Sequence, residues 1–238
     1  MENTKFKQYK KLKSFLEGKC YRDYPLHLVL GSYLGMMTWK PTRKLFTNYI
    51  FLNVKKLQDL ESDDIVLTYS TERSDYQLLM SKFAPNVGPQ YVRIDNTKKE
   101  QINGLLMTIS SLLRAVVFLR KVKCSLQDKV VLTCGISVAF KIIDEIEKMD
   151  IRCEKYVAFN SSYLIESFLS YYFRKRRIKT YSLQHGLYFN YINEIPFDVM
   201  NYENVCANEL LLWGEYSKKE VERFMPSSSR CKVYGYPV

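Results

Sequence analysis

Histidine is the scarcest reactive residue in the chain: only His27 and His185 are present. A metal site built from several histidines is thereby excluded. Glycine is low, nine residues in 238, which argues against a loop-rich or fibrous protein. The six cysteines, Cys20, Cys124, Cys134, Cys153, Cys206 and Cys231, are scattered and form no CxxC pair. Neither a disulfide scaffold nor a zinc site is expected, and the plain reading is reduced thiols in a cytosolic protein. No apolar run reaches the roughly 18–20 residues that cross a bilayer. The best candidate, Ile102 to Leu119, is broken by Asn103, Gly104, two serines and Arg114. The N-terminal stretch MENTKFKQYKKLKSFLEGKC has charge but neither an apolar core nor a cleavage site, so it does not read as a secretory signal. Internal repeats and low-complexity linkers are also missing.

What remains is a well-furnished globular composition. Hydrophobic residues make up 47% and charged residues 26% of the 238, enough for a sizeable core and against dominant disorder. Aromatics are abundant, with 19 Tyr and 13 Phe. The net charge of +11 points to an anionic partner or surface. It is concentrated at +8 over residues 1–60 and +5 over 151–180, with a neutral middle between them. No nucleic-acid-binding motif accompanies the charge, so nucleic acid is not an expected partner.

Helical spacing of Phe6, Tyr9, Leu12, Phe15 and Leu16 predicts a short basic amphipathic helix over 5–17. Such a helix either packs on the domain with a solvated lysine face or lies on an anionic membrane surface. Residues 26–60 read as mostly helical with a break near Pro41, and 1–60 as a helical region packed on the domain that follows. From residue 61 strands and helices alternate. Strands are expected at 65–69, 90–94, 155–160, 179–184, 209–213 and 232–236. KVVLTC at 129–134 reads as a further strand, with a helix as the alternative. Helices are expected at about 72–83 ending near Pro85, at 98–123 and well buried, at 136–149, at 162–177, and from Ser217 with the capping box Ser217-x-x-Glu220. This alternation predicts an α/β domain over 61–238: a Rossmann-like, mostly parallel sheet with helices on both faces.

In such sheets ligands bind outside the carboxyl ends of the strands. Three loops should converge there. Asn160-Ser161-Ser162 joins a strand to a helix, where free amides attract anions and small side chains leave room; an ordinary helix cap is the competing reading. Gln184-His185-Gly186 follows the strand at 179–184. There His185 is either a hydrogen-bonded structural residue or an imidazole able to take a proton from an attacking hydroxyl. Gly186 permits a sharp turn. Trp213-Gly214-Glu215 precedes the last helix, and Glu215 either bonds a sugar hydroxyl or favours the helix start. The run Arg174-Lys175-Arg176-Arg177 reads as a solvated helix end, with a phosphate site as the alternative.

The stretch YVAFNSSYLIESFLSYYFRKRRIKTYSLQHGLY is similar to a pattern in bacterial capsule and surface-polysaccharide biosynthesis proteins, glycosyltransferases of the twin-Rossmann (GT-B) type. Asn160 with Ser161, then Gln184-His185-Gly186, then Trp213-Gly214, then Gly235-Tyr236-Pro237 match its four elements in order over about 80 residues. Residues 1–150 carry no matching motif. The resemblance implies transfer of a sugar, or a polyol phosphate, from a nucleotide-activated donor to a glycan or lipid-linked acceptor. It implies that His185 is the general base on the acceptor side, that Gln184 and Gly186 shape its loop, and that the enzyme needs neither a metal nor another cofactor. The accompanying expectation is a cytoplasmic location, with peripheral contact on the inner face of the cytoplasmic membrane as an option carried by the basic helix. In that architecture a donor-binding domain follows the Gly-x-Pro strand, so the chain resembles the acceptor half of such an enzyme. Two other readings remain at this point: a non-catalytic module that docks on a membrane or partner, and half of a nucleotide-sugar epimerase-like enzyme.

Overall fold

The run Ile65–Tyr69, β-branched and aromatic, forms strand β1 and is buried along its whole length, as a central parallel strand must be. The computed structural model describes residues 4–39, 51–52, 54–69, 73–87, 91–95, 100–101, 105–186 and 199–236. Five more strands join β1: β2 (Val92–Asp95), β3 (Lys155–Ala158), β4 (Lys179–Leu183), β5 (Glu209–Leu212) and β6 (Arg230–Val233). All pair in parallel, in the order β6-β5-β4-β3-β1-β2. The fold is thus α/β with a Rossmann-like parallel sheet flanked by helices. The chain leaves β1 to one side for β2, then returns to pair β3 on the other side. This reversal between β1 and β3 is the topological switch point, the place where sheets of this kind bind ligands at the carboxyl edge.

Seven helices of eight or more residues flank the sheet among the described residues: α1 (Thr4–Ser14), α2 (Gly31–Trp39), α3 (Ser74–Val87), α4 (Leu105–Phe118), α5 (Leu126–Ile146), α6 (Leu164–Lys175) and α7 (Glu215–Glu222). Strand alternation splits the core in two. Val66, Tyr156, Ala158, Leu210 and Leu212 face one side and share a large cluster with α1, α2, α5, α6 and Val221 of α7. Leu67, Val157, Phe159, Leu183 and Leu211 face the other and meet Met80, Phe83 and Ala84 of α3. The N-terminal helices therefore contribute directly to the main core. Phe6, Tyr9, Leu12 and Leu16 are all buried, so the apolar side of the basic helix packs inward. Its polar side is anchored as well: Gln8 donates to Asp128 at 2.7 Å and Lys11 pairs with the same carboxylate at 2.7 Å.

Several expectations are corrected. KVVLTC lies inside the 21-residue helix α5, which also takes in most of the helix expected at 136–149. Ser125 caps α5, its Oγ accepting the Asp128 amide at 3.2 Å and donating to the Asp128 carboxylate at 2.7 Å. That cap, and burial of Leu132 and Ile136 at helical spacing, outweigh the β-branched character of Val130 and Val131. The span 98–123 is not one helix: Glu100–Gln101 pairs antiparallel with Phe51–Leu52, and α4 begins only at Leu105. Nor is α4 wholly buried, because one of its faces meets solvent. Helix α3 runs to Val87, past Pro85. The capping box Ser217-x-x-Glu220 is not used. Helix α7 starts at Glu215 behind Gly214, and Ser217 and Glu220 are buried within it. Residues 26–39 are helical as expected; Pro41 and the caps expected at Ser70 and Thr71 lie outside the described residues, as does Pro237.

Candidate functional site

Three of the loops named from sequence meet at the carboxyl edge of the sheet, and buried side chains fix how. Gln184 is 1% exposed and spans two of them. Its Oε1 accepts the Trp213 amide at 2.8 Å, and its Nε2 donates to the Gly186 carbonyl at 2.7 Å. The Gln184 amide itself donates to the Leu211 carbonyl, which extends the β4–β5 ladder. Gln184 thus acts as an internal clamp.

The Asn160 loop is equally self-contained. Asn160, Ser161 and Ser162 are 3%, 0% and 1% exposed. The Asn160 Oδ1 accepts from the Ser162 amide at 3.0 Å and from Ser162 Oγ at 2.7 Å, closing an Asx turn ahead of α6. The Ser161 amide donates to Ser182 Oγ at 2.9 Å, which ties the loop back to β4. The helix cap proper is Tyr163, with no side-chain bond. Ser161 Oγ is buried with no hydrogen-bond partner among the described residues.

His185 lies one residue past Gln184, half-buried, in a nest of rings. The centroids of Phe159, Tyr76 and Tyr163 stand 5.4, 5.9 and 6.0 Å from its own, with Tyr76 edge-on. The Asn160 carboxamide nitrogen is 3.5 Å from His185 Nε2, the long limit of a hydrogen bond. Nδ1 is buried, with no partner in strict bonding geometry among the described residues. Burial lowers the imidazole pKa from its ordinary value to about 4; the Leu183 backbone opposes the shift and the positive charge of Arg73 adds to it. The ring is therefore neutral at neutral pH and presents a lone pair. Arg73 stands on the same rim, 3.8 Å over the Tyr76 ring, bonded to the Tyr76 hydroxyl at 2.9 Å and paired with Asp75.

The third loop stands to one side. Trp213 packs edge-on against Tyr236, centroids 4.8 Å apart. Gly214 is the extended N-cap of α7, and Glu215 is exposed in its first turn. The structure thus joins Asn160 to His185, and Gln184 to both Trp213 and Gly186. Arg73, Tyr76, Phe159 and Tyr163 were not named from sequence. Arg73 follows β1 into the switch-point loop, a place the topology singles out once strand order is known. The two tyrosines lie on or beside helices and reach His185 only through folding.

The basic run takes a different position, at the amino edge. Arg176 lies 3.5 Å over the Tyr172 ring and reaches Glu147 at 3.5 Å, as Lys175 does at 3.3 Å. Arg174 donates to the carbonyls of Cys206 and Ser228. With Arg177, Lys179 and Arg230 it lines a cavity of about 370 Å³. Among the described residues, no group of three or more His, Cys, Asp or Glu could hold a metal ion. No protein-family model matches the chain, and no curated protein or solved structure is significantly similar to it.

Proposed function

We propose that this chain is the acceptor-side domain of a glycosyltransferase of the twin-Rossmann type that serves bacterial capsule or surface-polysaccharide assembly. The observation that carries the reading is His185: a neutral imidazole at the carboxyl edge, next to the switch point, in the loop Gln184-His185-Gly186 that resembles the family pattern. In the proposed reaction an acceptor hydroxyl bonds to the imidazole lone pair. The hydroxyl oxygen attacks the anomeric carbon of the donor sugar, and the bond to the leaving nucleotide diphosphate breaks with its electron pair. The hydroxyl proton passes to His185. A ring this hard to protonate is a weak base by itself. The diphosphate of a bound donor would supply the negative charge that stabilises the imidazolium, and Arg73, on the same rim, is a cation placed to meet that diphosphate.

The test is transfer activity with a donor-binding domain supplied, either in the same chain or in trans. His185→Ala should lower the rate about 10²–10⁴-fold. His185→Ala with unimpaired transfer would refute the assignment.

A further inference from the structure

Helix α4 packs one side on the core and carries a second apolar side outward. The side facing the protein carries Ser111, Ala115 and Phe118, whose ring meets Phe140 edge-on, with Leu119 just beyond its end; Ser111 Oγ bonds Ser137 Oγ at 2.8 Å. The outer side carries Ile109, Leu113, Val116 and Val117, which are 46%, 63%, 51% and 61% exposed. At 3.6 residues per turn these four fall within an arc of about 100°, a continuous apolar stripe. Single exposed apolar residues need no explanation, but a stripe does.

The stripe runs straight into a cationic end. Arg120, Lys121 and Lys123 follow α4 and are all exposed. Val117 also lines an open groove of about 500 Å³ whose walls include Lys19, Arg120 and Lys121. None of these four cations pairs with a carboxylate among the described residues. From Gln101 to Gln127 the chain contains no Asp or Glu at all.

We propose that this surface seats on an anionic lipid bilayer. The apolar stripe enters the boundary between headgroups and acyl chains, and Lys19, Arg120, Lys121 and Lys123 meet lipid phosphates. An apolar stripe bordered by unpaired cations, on a segment without Asp or Glu, is the combination such an interface selects. A second copy fits less well, because it brings another chain of net +11 against the first. The basic helix α1 cannot serve instead, since its apolar side is already buried. The proposed contact is peripheral, and among the described residues no helix is long and apolar enough to cross a membrane. The proposal is independent of the role given to His185.

Vesicle co-sedimentation tests it. Wild type should bind vesicles containing about one-third phosphatidylglycerol at least tenfold more tightly than pure phosphatidylcholine vesicles. L113D/V117D and R120E/K121E should each weaken binding to the anionic vesicles about tenfold or more while circular dichroism and melting stay unchanged. His185→Ala should bind as wild type does, which separates this test from the catalytic one. Failure of wild type to bind anionic vesicles would overturn the proposal, as would undiminished binding by L113D/V117D. A dimer that L113D/V117D dissociates, without vesicle binding, would assign the stripe to self-association and equally overturn it.

Discussion

Replacing Gln184 with leucine isolates what the clamp contributes. The substitution keeps side-chain volume, so it opens little cavity, but it removes both side-chain bonds. The Trp213 amide loses its 2.8 Å acceptor and the Gly186 carbonyl its 2.7 Å donor. A backbone group orphaned in the interior costs about 1–3 kcal/mol. Trp213 and Gly186 are half-buried, so water recovers part of each loss and the lower half of that range applies. Burying a leucine at a site 1% exposed returns roughly 1 kcal/mol. The net loss is then about 2 kcal/mol, and with a urea m-value near 2–3 kcal/mol per M the midpoint should fall by nearly 1 M. A second readout is local. The clamp holds the loop that keeps His185 among its three rings, so the His185 pKa, followed by NMR, should climb from about 4 toward its ordinary value. A midpoint shift below about 0.2 M with an unmoved His185 titration would show that the loop is held by something other than Gln184.

Four further outcomes follow from the same structure. The folded His185 pKa lies below the unfolded value, so the unfolded chain binds more protons between about pH 6.5 and 4; stability should be complete above that window and fall as pH drops through it, by at most about 3 kcal/mol, a loss that His185→Gln should reduce in pH-dependent urea melts. Gly31→Ala would drive a Cβ into the Asn204 carboxamide, whose nitrogen donates to Tyr9 Oη at 2.7 Å and to the Met200 carbonyl; unfolding free energy should fall by about 1–3 kcal/mol, read by urea titration. Glu203→Gln should likewise destabilise, by about 1–3 kcal/mol, because the carboxylate takes the buried Tyr9 hydroxyl together with Lys10 at 2.8 Å and Lys13 at 3.6 Å. Burial pushes the Cys153 and Cys206 thiols up to about 12, whereas Cys20 is exposed; a thiol reagent on native protein should modify Cys20 first and reach Cys153 and Cys206 only on unfolding.

The strands were legible because short β-branched runs bounded by turn residues bury themselves as parallel strands, as IVLTY does at β1 and ELLL at β5. KVVLTC shows the limit of that signal. A β-branched run tolerates a helix when a cap starts it and an apolar face continues beyond it, and the cue was Ser125 three residues before Asp128. Helix α4 shows another limit. Apolar residues on most faces suggested burial, yet only one face of a helix can meet a given partner, and sequence does not say which. For the site, Gln184-His185-Gly186 and Asn160-Ser161-Ser162 stood out because they follow strands. Their division of labour did not. Gln184 and Ser162 carry side chains that suit a ligand, but the fold spends both on its own backbone and loops, while Tyr76 and Tyr163 enter the site through tertiary packing alone.

What the fold leaves unspent then defines where a ligand would be felt. Among the described residues, two buried polar atoms at the carboxyl edge lack partners in bonding geometry, Ser161 Oγ and His185 Nδ1, and they belong to the loops after β3 and β4. The switch point lies one strand away, between β1 and β3, and Arg73 stands on its rim. Neighbouring polar groups in this loop pair, such as Asn160 with Ser162 and Ser161 with Ser182, are satisfied within the chain, so loose packing does not explain the two that are not. An unmet donor or acceptor in the interior is costly, and folds tolerate it where function requires it. In the proposed reaction a hydroxyl-bearing acceptor meets the His185 ring from the rim. It would then hold its nucleophilic oxygen against a ring whose affinity for a proton depends on the charge brought by the second substrate. In that arrangement proton transfer waits for the anionic donor, so an acceptor bound alone would be oriented without being activated.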